Sequence, residues 1–90
     1  MDFEEQIQEL QQQLPSQRQL LIGNAPIPYA KGIYFDSDIK KWCIYENGER
    51  IGVPGNQLIL WRTDTEEEIK EIFIESVKSE IKRYQNSKMR

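Results

Sequence analysis

One apolar stripe near the C-terminal end constrains this chain more than any other feature. Ile69, Ile72, Phe73, Val77, Ile81 and Tyr84 recur at helical spacing, with charged residues between them. Thr63-Asp64-Thr65 offers three N-cap side chains ahead of the stripe, and Glu66, Glu67 and Glu68 supply a capping-box partner for each. The acids also suit the positive end of a helix dipole. The spacing predicts a helix over 64–84, fraying into a disordered tail at 85–90. Ile74 falls off the stripe and is expected to be exposed. A helix with one apolar face must bury it, and the residues before it read as strands. The expectation is an α+β domain: an N-terminal helix, a sheet over 32–63, and this long helix packed on one sheet face.

Asn47-Gly48 lies between two strand-like runs, the strongest short-range hairpin signal. A two-residue turn there pairs Glu46 with Glu49, Tyr45 with Arg50, Ile44 with Ile51 and Trp42 with Val53. That register sorts Trp42, Ile44, Ile51 and Val53 onto one face, and Lys41, Cys43, Tyr45, Arg50 and Gly52 onto the other. Residues 32–35 read as a preceding strand, turned by Asp36-Ser37-Asp38. Residues 58–62 form a strand after Pro54-Gly55-Asn56. The expected sheet is a four-stranded antiparallel meander. Residues 17–22 fit a short helix or a strand equally well. The stretch 25–31, with Pro26 and Pro28, reads as an extended connector.

At the N-terminal end, Phe3, Ile7, Leu10 and Leu14 form a narrow heptad seam over 2–14, with Pro15 after it. An isolated helix below about 12–15 residues is marginal, so the seam must dock on the domain or on a second copy. These four residues are therefore the candidates for self-association. The pressure to associate is real. A chain of 90 residues makes one domain, which buries only about 60% of its unfolded surface. Cys43 is the only cysteine, so no internal disulfide can help.

Several chemistries lack their residues. There is no histidine, which removes the commonest general base and zinc ligand. Cys43, mid-strand beside Trp42, reads as a buried structural thiol. No glycine-rich phosphate loop is present. Asp36 and Asp38 read as turn formers, and the glutamate run as a helix start. A non-enzyme with no cofactor and no metal is expected. The net charge of −3, from 12 basic and 15 acidic residues, argues against nucleic acid and suits a basic protein partner. The bases Lys78, Lys82, Arg83, Lys88 and Arg90 leave a weak nucleic-acid or anionic-surface binder as an alternative. One cysteine, no apolar leader, and no apolar run longer than residues 58–61 point to a cytoplasmic protein with no membrane segment.

If Trp42 and Ile44 face the helix, Tyr45 and Arg50 face outward. In the last strand Leu58 and Leu60 point one way, and Ile59 and Trp61 the other. Alternation leaves open which set meets the core. With Ile59 and Trp61 outward, the open face carries Tyr45, Arg50, Ile59 and Trp61, with Glu46, Glu49, Asp36 and Asp38 as an acidic rim. Tyrosine, tryptophan and arginine dominate binding hot spots. The candidate partner-binding residues are Tyr45, Arg50, Trp61, Ile59, Glu49 and Asp36.

Gly32-Ile33-Tyr34-Phe35, then the run from Lys41-Trp42 through Tyr45 to Glu49-Arg50, then Asp64-Thr65-Glu66-Glu67-Glu68-Ile69 leading into Phe73, resembles small immunity proteins of bacterial polymorphic toxin systems. The resemblance spans residues 32–77 and departs after Arg50, where Ile51 intervenes before Gly52. It implies a cytosolic inhibitor that binds a toxin enzyme and blocks its active site. The expected function is a non-catalytic protein-binding module of this inhibitor type. The alternative is a structural or regulatory homodimer through the N-terminal helix.

Overall fold

The computed structural model describes residues 2–50 and 52–88. In chain order they form α1 (Phe3–Gln11), β1 (Leu20–Ile22), β2 (Lys31–Asp36), β3 (Lys41–Asn47), β4 (Gln57–Thr63) and α2 (Glu66–Lys88). The domain is α+β, as the patterning implied. Its sheet has the order β1-β2-β3-β4 and is mixed. β1 runs parallel to β2, and the other two pairings are antiparallel. Of the stretch 17–22, only residues 20–22 form a strand and no helix forms, and the all-antiparallel meander is corrected.

α2 starts on Thr65, whose hydroxyl oxygen accepts from the Glu68 N–H at 3.2 Å and donates to the Glu68 carboxylate at 2.8 Å. That satisfies one of the helix's orphan donors. The helix runs on to Lys88, past Tyr84, where the apolar stripe ends; Met89 and Arg90 lie outside the described residues. Ile69, Phe73, Val77 and Ile81 are buried against Ile33 and Ile44 of the sheet. Ile72 and Ile74 are half-buried on either flank of that row.

α1 is capped by Asp2, whose carboxylate accepts from the Glu5 N–H at 2.8 Å. It ends at Gln11 rather than at 14, so Leu14 follows the helix, and the seam is used within the chain. Ile7, Leu10 and Leu14 are buried in the common core, and the Phe3 ring packs 6.2 Å from that of Phe73. Gln11 then ties α1 to the sheet edge. Its amide accepts from the Leu20 N–H and donates to the Arg18 carbonyl, both at 2.7 Å. The side chain thereby stands in for a neighbouring strand on the exposed edge of β1.

The expected hairpin does not form at Asn47-Gly48. β3 continues through Asn47, which pairs with Gln57, and the described residues between them, 48–50 and 52–56, form a loop. Glu49 and Arg50 are exposed in that loop, and Val53 is 49% exposed rather than core. Ile51, assigned to the core by the expected register, lies outside the described residues. Trp42 and Ile44 do face the helices, with Ile33 and Phe35 opposite them on β2.

Asn47 has a different use. Its amide donates to the carbonyls of Ala25 and Ile27, at 2.9 and 3.0 Å, and accepts from Gln57 at 2.9 Å. Two residues back along the strand, hence on the same face, the Tyr45 hydroxyl donates to the Gly23 carbonyl at 2.7 Å and accepts from the Ala25 N–H at 3.3 Å. The connector between β1 and β2 is strapped onto the sheet face away from the helices by these two side chains. That strap lets so short a parallel strand return beside its neighbour.

Candidate binding surface

The sequence-derived partner residues do not form one face. Tyr45 is fully buried under the connector it holds. Burial pushes its phenol up from its ordinary value, with the Ala25 N–H pulling slightly the other way. It is a neutral structural hydrogen-bonding group, which corrects its reading as an exposed hot spot. Arg50 and Glu49 sit in the loop between β3 and β4, so no Tyr45–Arg50 cross-strand pair exists. Asp36 closes the β2–β3 turn, its carboxylate accepting from the Asp38 N–H at 3.0 Å.

Ile59 and Trp61 are separated by a bulge. Tyr45 pairs with Ile59 and its neighbour Ile44 pairs with Trp61, which leaves Leu60 as an extra residue. Adjacent strand positions face opposite ways, so Ile59 lies on the Tyr45 side and Trp61 on the helix side. Simple alternation had put them together. Neither the Leu58/Leu60 set nor the Ile59/Trp61 set reaches the core. Trp61 is 54% exposed and Leu58 is 58% exposed.

β4 is the last strand of the sheet. Among the described residues no other segment pairs with its outer edge. Beside it, Trp61 and Ile72 line a hollow against α2, edged by Glu75, Ser79 and Arg83. The hollow holds the one tryptophan that the fold leaves largely in solvent. Trp61 was legible as a candidate from its residue type; its neighbours on α2 were not.

A second cluster had no signal in the sequence. Arg18 bonds Glu46 at 2.8 Å and Glu80 at 2.6 Å, and donates to the Tyr29 carbonyl at 2.9 Å. Lys31, only 3% exposed, reaches Ser76 at 2.5 Å and Glu80 at 3.5 Å. Burial pulls the Lys31 ammonium below its ordinary value, against the attraction of Glu80. For Arg18, burial opposes the charge but its hydrogen bonds to Glu46 and Glu80 outweigh it, and its pKa is raised. Two cations and two anions balance, and no buried side-chain polar atom lacks a partner among the described residues. The cluster joins the α1–β1 link, β2, β3 and α2, and it presents no vacant group to a ligand.

Among the described residues, no three histidine, cysteine, aspartate or glutamate side chains are grouped to hold a metal ion. No described helix is long and apolar enough to cross a membrane. Cys43 is buried. Compared with protein families, curated proteins and solved structures, the chain matches no family model, no curated protein and no solved structure.

Proposed function

We propose that this chain is a non-catalytic protein-binding module of the inhibitor type, acting in the cytoplasm on a basic partner. The observation that carries the reading is Trp61, an exposed tryptophan on an open edge strand, beside Glu75 and above the half-buried Ile72. An aromatic anchor seated on an apolar side chain and ringed by polar ones, here Glu75, Ser79 and Arg83, has the make-up of an interface hot spot. The surplus of acids over bases favours a positively charged surface opposite. The resemblance of residues 32–77 to immunity proteins supports the inhibitor character, with a toxin enzyme as the partner.

The self-association reading through Phe3, Ile7, Leu10 and Leu14 draws less support, because the last three are buried within the same chain. A dimer through them would require α1 to exchange between copies.

The test is quantitative affinity purification from the native cell with wild type and with Trp61→Glu, followed by titration of any retained protein. A basic protein held by wild type should lose at least about tenfold in affinity to the variant, the effect of removing one hot-spot aromatic. Equal retention by both forms would overturn the reading.

A further inference from the structure

α2 carries a second exposed stripe, distinct from the one it buries. Glu67, Glu71, Ile74, Lys78 and Lys82 fall within about 80° of one another on the helix, at 3.6 residues per turn. Glu67, Glu71, Lys78 and Lys82 are exposed and Ile74 is half-buried. The stripe reads acid, acid, apolar, base, base. None of its four charged residues has an ion-pair partner among the described residues. It borders a 750 Å³ groove between α1 and α2, floored by Phe3, Leu10 and Ile74.

Such an order is complementary to itself only when two copies run antiparallel. A twofold axis between Ile74 and Glu75 sets Glu67 opposite Lys82 of the second copy, and Glu71 opposite its Lys78. By symmetry each pairing occurs twice, and the two Ile74 side chains meet near the axis. A parallel alignment would instead stack acid on acid and base on base. The spacing of four, three and four from Glu67 to Lys78 is that of a helix–helix seam.

We propose that the chain forms an antiparallel homodimer through this face of α2, with the second copy's helix seated along the α1–α2 groove. This interface is centred on α2 and meets the α1 seam only where Phe3 and Leu10 line the groove; Ile7 and Leu14 stay buried within each copy. Trp61 lies beyond Glu71 and Glu75, which line both this groove and the Trp61 hollow, so the two surfaces adjoin. Because the pairs are solvent-exposed, the dimer is modest in strength and weakens with salt.

The experiment is sedimentation equilibrium in about 50 mM and about 1 M salt, where screening lengths differ severalfold. Wild type, E67K/E71K and K78E/K82E are each run alone, and the two variants are also run mixed. Wild type should dimerise at low salt and dissociate at high salt. Each variant alone should bind itself at least about tenfold more weakly. The mixture should recover a heterodimer, because one copy then presents four bases to four acids. A monomeric wild type at low salt would overturn the proposal. So would variants that still self-associate like wild type, or a mixture that stays monomeric.

Discussion

Gly32→Ala is expected to destabilise the protein by about 3 kcal/mol, the upper range for forcing one methyl group into a packed site. A Cβ at this position would lie 2.7 Å from the Leu21 carbonyl oxygen, 2.8 Å from the Tyr45 hydroxyl and 2.9 Å from its Cε1. The first of these is backbone of β1, so the strand itself must move. The others belong to the side chain that straps the connector through Gly23 and Ala25. One methyl therefore attacks the parallel pairing and its strap together. Thermal unfolding should show the melting temperature falling by more than about 10 °C in a domain of this size. A fall of only a degree or two would mean that β1 and Tyr45 yield easily and contribute little.

Glu80→Gln should cost about 2–3 kcal/mol, whereas Lys31→Met should be neutral or stabilise by about 1 kcal/mol. Both substitutions remove one charge from the same cluster. The difference lies in what is left behind. Without the Glu80 carboxylate, Lys31 stays buried beside Arg18, which repels it. Without the Lys31 ammonium, Glu80 keeps its 2.6 Å bond to Arg18 and is itself partly exposed. The folded-state pKa of Lys31 is lowered, so in the window between that value and the ordinary lysine value the unfolded chain binds more protons. Stability from this group therefore rises with pH across that window. The advantage of Lys31→Met over wild type should shrink over the same range. Urea titrations of both variants at neutral and alkaline pH check the order. Lys31→Met less stable than Glu80→Gln would show that the ammonium holds the cluster together.

The elements that were legible in the sequence are those built from local period. The α2 stripe and the α1 seam depend on residues three or four positions apart, and both helices form. Yet α1 stops at Gln11 before Leu14, α2 runs on past Tyr84, and Thr65 is the one of three candidate caps that is used. The hairpin was misread because Asn-Gly is also a local signal, and here tertiary structure overrides it. The Asn47 side chain is drawn to carbonyls 20 and 22 residues earlier in the chain. β1 is three residues long, too short to show a period. The bulge at Leu60 cannot be seen in an alternating pattern, and it alone separates Ile59 from Trp61. Tyr45 has the residue type of a hot spot, and residue type says nothing about the connector that covers it. The Arg18–Glu46–Glu80–Lys31 cluster joins residues as many as 62 apart, so no window of sequence contains it.

The extra residue in β4 also bears on which changes in length this strand can accept. Every residue of β3 from Trp42 to Asn47 already has a partner on β4, and Leu60 is no part of that ladder. A deletion in mid-strand ordinarily turns every following side chain to the wrong face. Loss of Leu60 would leave all six pairings and both faces as they are. It would also straighten the outer edge into an uninterrupted template for a foreign strand, the hazard that bulges on edge strands guard against. Leu60 is thus a spacer whose worth lies in the irregularity it introduces.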